Sequence, residues 1–357
     1  MVTSGILSLI ACLKLADVGL ATNLYSYPLA VEKILGKKSK FGLEVAIALT
    51  QFSFAISHII FLISSCKSTV DSLFGVDSSS VTYLIAVVVI YSLLSYVRNL
   101  AKFSFTFMVG NFLIVLTVIY VMVYAGKMLG ENGPGPDIHF FEASGYLNTL
   151  GFTIYVYEGI GIVMPVMATT EKPENFKAML TYAFITLMSF FILFAMICSV
   201  AWGSNMDQAI VLQMLPADSV TVIIIKFLYS LNLVCSYPIT ICPANAAIEG
   251  WLCGCLKKDK TKLYWMQNLS RTLVTTAAAV LAVCLASKID KFLGLIGSFL
   301  CAPLALFFPA MLHLKLLAKS KTDKFVDWML IIVSILIFFF CSMQSILSWN
   351  SAGGAHG

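Results

Sequence analysis

The chain has 357 residues, of which 59% are hydrophobic and only 11% are charged, and its net charge is +5. Soluble domains contain about 25% charged residues, so this composition excludes a water-soluble globular protein. The hydrophobic residues fall in blocks of about 20, the length that a helix needs to cross the hydrocarbon core of a membrane. Because lipid offers the backbone no hydrogen-bond partner, each block is predicted to be an α-helix.

Ten such blocks predict a single transmembrane domain over residues 1–350. They lie at 2–21, 41–64, 80–97, 104–125, 147–169, 178–202, 219–249, 270–287, 292–314 and 325–348. Seventeen of the 23 Lys and Arg residues fall in alternate loops, at 33–40, 98–102, 172–177, 257–271 and 315–324. By the positive-inside rule these loops are cytosolic. Both ends of the chain, including a short tail at 351–357, are then expected on the non-cytosolic side.

The remaining composition argues against several other functions. The basic residues belong to loops on one side of the membrane, so the positive charge does not predict a nucleic-acid partner. Most of the ten cysteines lie inside apolar blocks, where cysteine behaves as a small apolar residue. No His or Cys cluster accompanies the pair Cys253 and Cys255, which favours packing over metal binding. No nucleophile motif occurs, so neither an enzyme nor a cofactor is predicted.

The span 147–169 carries the most informative pattern. Its middle reads Tyr157, Glu158, Gly159, Ile160 and Gly161, followed by Pro165. A carboxylate at mid-bilayer costs roughly 3 kcal/mol or more and usually marks a functional site, while glycine and proline weaken a helix. An interrupted helix frees backbone groups that can bind both ends of a zwitterion. The alternative is a kinked packing helix in which Glu158 is hydrogen-bonded to a neighbour.

Further polar residues lie inside predicted spans, among them Lys14, Asp17 and His58. Lys14 and Asp17 are three residues apart, so they are expected to pair with each other on one helix face. His58 fits either a proton relay or, more commonly, a buried and hydrogen-bonded histidine.

Three stretches together resemble the amino acid/auxin permease family. The run Tyr157–Pro165, followed by Thr170–Phe176, is similar to the sixth helix of that family and its following loop. Leu228–Ala244 resembles the eighth helix, and Gly294–Pro309 resembles the tenth. No single motif is highly specific, but the ordered set covers nearly the whole chain.

The resemblance implies a leucine-transporter-like fold of two inverted five-helix repeats and one extra helix. The ten predicted spans then correspond to family helices two to eleven. The first family helix, which the inverted repeat pairs with span 147–169, has no counterpart after Met1. Either the sequence is incomplete or the protein is a reduced and inactive relative.

The resemblance also implies secondary active transport of amino acids by alternating access. Gly159, Ile160 and Gly161 would expose backbone to the substrate, with Tyr157 and Glu158 beside the break. Because an unpaired buried carboxyl group can bind and release a proton, Glu158 is the candidate for proton coupling. The hydroxyl groups expected to line the site, or to serve packing alone, belong to Ser53, Ser236 and Ser298.

Several points stay open at this stage. The coupling ion is a proton or Na⁺, and the membrane is of the vacuolar or lysosomal type or the plasma membrane. The substrate amino acid and the lipid bilayer are the expected partners. The alternative function is an amino acid sensor or membrane scaffold that does not transport.

Overall fold

The computed structural model describes residues 1–98, 104–138, 145–206, 210–216, 219–252 and 260–350, and within them the chain is helical with no β-strand. The helices of the described ranges are α1 (Val2–Thr22), α2 (Tyr27–Leu35), α3 (Lys37–Phe74), α4 (Ser80–Ser95), α5 (Ser104–Asn132), α6 (Tyr146–Val156), α7 (Ile160–Ala168), α8 (Phe176–Trp202), α9 (Val220–Leu252), α10 (Lys260–Leu285), α11 (Ile289–Ile296), α12 (Phe308–Leu316), α13 (Lys321–Leu336) and α14 (Ser342–Leu347). The predicted tail at 351–357 and the pair Cys253 and Cys255 lie outside the described residues.

Eight segments of the described chain are long and apolar enough to cross a membrane. One of them, Thr261–Leu316, has 56 residues and contains two predicted spans, which a 3₁₀ turn at Ala286–Lys288 separates. The shorter apolar helix α4 corresponds to another predicted span. Each of the ten predicted windows is therefore largely helical, which confirms the all-α membrane class.

Two elements differ from the prediction in their extent. Helix α3 has 38 residues, which at 1.5 Å per residue is about 57 Å, so it extends beyond the predicted span 41–64 at both ends. Helix α2 lies in a stretch that was predicted to be a loop. It is fixed to the bundle by the buried hydroxyl of Tyr27, which donates to the carbonyl oxygen of Leu304 at 2.8 Å.

Buried side chains form two large cores that meet at the end of α6. The first core joins α1, α7, α12 and α13, and the second joins α3, α4, α9 and α10. Tyr155 of α6 and Ile296 of α11 pack against both cores. The interrupted helix therefore lies at the junction of the two halves of the bundle.

Helix α6 also approaches α11 and the π-helical turn that follows it very closely. A Cβ atom on Gly151 would lie 2.5 Å from the carbonyl oxygen of Gly294, and one on Gly297 would collide with the carbonyl oxygen of Gly151. Glycine is required here because the two backbones are in contact. Ser345 of α14 donates to the side-chain oxygen of Asn148 on α6 at 3.1 Å, which joins a third helix to α6.

Candidate functional site

The helix in the span 147–169 is interrupted at Tyr157–Gly159, between the end of α6 and the start of α7. No side chain caps the first turn of α7, whose leading N–H groups therefore lack an intrahelical partner. The interruption was predicted near 158–161; it begins one residue earlier and ends two residues earlier. Gly161 and Pro165 are both inside α7, so Gly161 does not unwind the backbone and the proline does not cause the break.

Glu158 stands in the break and is half-buried. Within the described part of the chain, its carboxyl group makes no hydrogen bond or ion pair. Its electrostatic neighbours include the thiols of Cys12 and Cys301 and the phenol of Tyr27. These belong to α1, to the turn after α11, and to α2. The alternative in which Glu158 is hydrogen-bonded within a packing helix is therefore not what the structure shows.

Tyr157 precedes Glu158 and is 6% exposed. Its ring centroid lies 6.2 Å from that of Phe184 and 5.9 Å from that of Phe191, both on α8. The phenolic oxygen is buried and has no hydrogen-bond partner among the described residues. Because an unsatisfied buried polar group costs about 1–3 kcal/mol, this hydroxyl group is a candidate for contact with a polar ligand.

A cavity of about 360 Å³ opens beside the break, between α7 and α8. Its wall includes the backbone of Gly159 and the side chains of Tyr157 and Glu158 on one side and of Phe184 and Leu187 on the other. The volume lies within the range of small-molecule sites, which are mostly apolar with a few polar groups. The three residues of the break, Tyr157–Gly159, thus border a cavity that is otherwise apolar.

A second cavity of about 260 Å³ lies near the other end of α6, between α3, α6 and α11. It is more polar, since Asn148, Thr149 and Asp290 contribute to its wall. By the charge-based topology, this end of α6 is non-cytosolic, whereas α7 ends at a cytosolic loop. The two cavities therefore lie on opposite sides of the break.

Ser53 lies one turn before Ser57, a serine that α6 contacts, and its own hydroxyl group bonds only within α3. It donates to Leu49 O at 2.8 Å, Ser57 donates to Ser53 O at 3.0 Å, and Tyr155 donates to the Ser57 hydroxyl at 3.2 Å. Ser57 and Tyr155 were not predicted. The four-residue spacing of Ser53 and Ser57, which places both on one face of α3, is the signal that was available for Ser57.

Ser236 and Ser298 are not brought to the break by their contacts. Ser236 donates to Leu233 O at 3.2 Å within α9, a helix that packs chiefly against α3 and α5. Ser298 is fully buried, donates to Gly294 O at 2.9 Å and lies 2.9 Å from the Ser342 hydroxyl. These satisfied hydroxyl groups favour the packing alternative for both residues.

The other polar groups within the spans also differ from expectation. Lys14 and Asp17 do not pair with each other: Asp17 accepts from Lys177 at 2.8 Å, and Lys14 lies 3.5 Å from Asp327. Their partners are on other helices, which sequence spacing does not reveal. The Nδ1 atom of His58 is buried without a hydrogen-bond partner in the described chain, in contrast to the commoner alternative.

Comparison with known proteins identifies the family. The pattern of the family described as transmembrane amino acid transporter protein matches residues 1–347. The chain belongs to that family. Its similar proteins include vacuolar amino acid transporter 3 of Saccharomyces cerevisiae, at 29% identity over 89% of this chain and 47% of the relative.

Two further relatives extend the comparison. Vacuolar amino acid transporter 4 of the same yeast is 27% identical over 90% of this chain and 49% of its own length. The proton-coupled amino acid transporter-like protein pathetic of Drosophila melanogaster is 24% identical over 82% of this chain and 61% of its own length. The chain thus spans about half the length of the two yeast relatives.

Proposed function

We propose that this family member carries amino acids across a vacuolar-type membrane by alternating access, with Glu158 as the proton-coupling group. The observation that carries the proposal is the interrupted helix, in which the unpaired Glu158 carboxyl group and uncapped backbone N–H groups adjoin a cavity. The names of the yeast relatives support the substrate class and the membrane, and the name of the Drosophila relative supports proton coupling.

The backbone and Glu158 have different tasks in this mechanism. The free N–H groups at the start of α7, at the positive end of its helix dipole, suit the carboxylate of an amino acid. Glu158 would bind a proton from one side of the membrane and release it to the other. An unpaired carboxyl group is suited to this because no fixed cation holds it in one charge state.

The position of the break suits exchange between two openings. The cavity beside α8 and the cavity at the non-cytosolic end of α6 lie on either side of Glu158. Tyr155, which contacts both cores and donates to Ser57, stands between them. Rocking of the first core against the second would open one cavity and close the other.

Uptake of labelled amino acids into proteoliposomes tests the proposal. Wild-type uptake should increase when a proton gradient is imposed, and Glu158→Gln should remove that increase because the amide cannot bind a proton. The matched control is Glu171→Gln, in the exposed loop after α7, which should respond as the wild type does.

Two results would count against it. A Glu158→Gln variant that responds to the gradient as strongly as the wild type removes the coupling role. Amino acid binding without any uptake by the wild-type chain, measured as a ligand-induced thermal shift, would instead support the sensor alternative.

A further inference from the structure

A second group of buried charges lies away from the break, at the cytosolic end of the bundle. This Lys14 cluster consists of Lys14 on α1, His313 on α12, and Asp323 and Asp327 on α13. The side chain of Asp327 is 0% exposed, those of His313 and Lys14 are 8% and 13% exposed, and that of Asp323 is 45% exposed. Asp323 thereby connects the cluster to water on the side predicted to be cytosolic.

The short distance between His313 and Asp327 fixes one proton. His313 Nδ1 lies 2.6 Å from Asp327 Oδ2, and two lone pairs cannot face each other at that separation, so a proton lies between them. With that proton on Nδ1, His313 donates to Asp327, whose other oxygen faces the Lys14 ammonium. The other ring nitrogen, Nε2, is then the atom that can gain or lose a proton.

Lys14 is the only member of the cluster on α1, and its cation ties that helix to α13. Its Nζ atom lies 3.5 Å from Asp327 Oδ1 and 3.7 Å from Asp323 Oδ1. With a neutral His313, one cation faces two carboxylates. A proton on His313 places a second cation in the cluster, with Nδ1 at 3.4 Å from Lys14 Nζ. The second cation repels Lys14 and competes with it for Asp327.

The other charged groups on the surrounding helices already have partners or face solvent. Asp17 of α1 pairs with Lys177 of α8, and Glu32 of α2 pairs with Lys40. Four lysines on α2, α12 and α13 are exposed: Lys33, Lys315, Lys321 and Lys324. Helix α7 and the turn 303–307, which also pack on α1, contain no titratable side chain. Titration of His313 therefore acts mainly within the cluster.

We propose that the Lys14 cluster is a proton-binding site, separate from Glu158, at which a proton on His313 weakens the attachment of α1 to α12 and α13. Helix α1 also packs against α7 and α8, the two helices that border the larger cavity. Acidification on the cytosolic side thus loosens the wall next to the break. The inference concerns helix packing and does not depend on transport by Glu158.

The native cysteines provide the measurement. Cys12 is 2% exposed in the core that α1 shares with α12 and α13, and Cys198 is 2% exposed in a core elsewhere. The rate of alkylation by N-ethylmaleimide is measured for each thiol by mass spectrometry, with the protein in lipid nanodiscs. The Cys12 rate is divided by the Cys198 rate, and this ratio is compared between wild type and His313→Gln at each pH, so that thiol ionisation cancels.

The wild-type ratio, relative to that of His313→Gln, should rise at least about twofold when the pH is lowered from about 8 to about 5.5. Lys14→Met lacks the tie, so its Cys12 should react fast throughout, with no further response. The matched control is Lys315→Gln, at an exposed position of α12, the helix that carries His313. This variant should behave as wild type.

An equal pH response in wild type and His313→Gln overturns the inference. If His313→Gln does not fold, the comparison of wild type with Lys14→Met decides. If the alkylation ratios of wild type and Lys14→Met change in parallel at every pH, the inference is overturned as well. A rise of the ratio at low pH in wild type alone supports it.

Discussion

Glycines at two places in the transmembrane bundle have opposite surroundings. A Cβ atom on Gly159 or Gly161, at the break, would meet nothing within 4 Å, whereas Cβ atoms on Gly151 and Gly297 would press on backbone atoms of the facing helix. The first set leaves space beside free backbone groups, and the second permits two helices to touch. The span 147–169 therefore combines open backbone beside a cavity, at Gly159, with rigid helix packing at Gly151, about two turns away.

Gly297→Ala tests the close helix contact and should have the largest effect. Its methyl group would collide with the carbonyl oxygen of Gly151, and neither backbone can move as a flexible side chain would. The variant should lose about 1–3 kcal/mol of stability, seen as a lower midpoint of thermal unfolding in detergent. If Gly297→Ala unfolded at the same midpoint as wild type, the two helices would not be in contact.

Gly159→Ala should separate function from stability. Because open space surrounds the position, its stability should remain within about 0.5 kcal/mol of wild type. Amino acid uptake should nevertheless fall roughly fivefold, the equivalent of about one hydrogen bond, because the methyl group crowds the backbone that the substrate contacts. Uptake at the wild-type rate would remove this backbone from the proposed site.

Gly161→Ala provides a matched control in the first turn of α7. The residue is helical and its surroundings are open, and alanine is favoured over glycine in helices by about 0.5–1 kcal/mol. A gain in stability of a few tenths of a kcal/mol up to that value is expected. A loss would mean that Gly161, like Gly297, faces a neighbouring backbone.

The smallest expected effect is that of mildly acidic conditions on a carboxylate of α3. Asp71, in the part of α3 beyond the predicted span 41–64, accepts hydrogen bonds from Ser78 and Lys67, which lower its pKa to about 2. The stabilisation is complete above the ordinary pKa of 3.8 and is lost only as the pH falls through about 2.

The small destabilisation by Asp71→Asn should therefore be the same at pH 5 as at pH 7, in thermal unfolding of both proteins. The differences among the glycine variants should persist at pH 5 as well, because neither glycine nor alanine has a titratable side chain. An Asp71→Asn effect that vanished at pH 5 would show that the carboxyl group is already protonated there.

The sequence was sufficient to predict the spans and the break because both are local properties. A run of about 20 apolar residues has one structural solution in lipid, and Glu158 beside glycine is readable without knowledge of any neighbour. It was not sufficient to distinguish Gly159 from Gly297, since what a missing Cβ makes room for depends on a helix more than 100 residues away. The partners of Lys14 and Asp17 were mispredicted for the same reason.

The helix α2 was missed for a different physical reason. Its nine residues are too few to cross a membrane, so a search for long apolar blocks passes over it. Its place is set by the contact of Tyr27 with Leu304, 277 residues away. Short helices at a membrane surface depend on such distant contacts more than on their own composition.

Tyr155 and Ile296 are the side chains through which both cores touch the end of α6. Substitutions within one core should add independently to those in the other, because few atoms are shared between them. The effect of a substitution at Tyr155 on the free energy of unfolding should instead be non-additive with that of a substitution in either core. The two halves of the bundle can thus accumulate sequence differences separately, provided that the residues at their common boundary keep their size and shape.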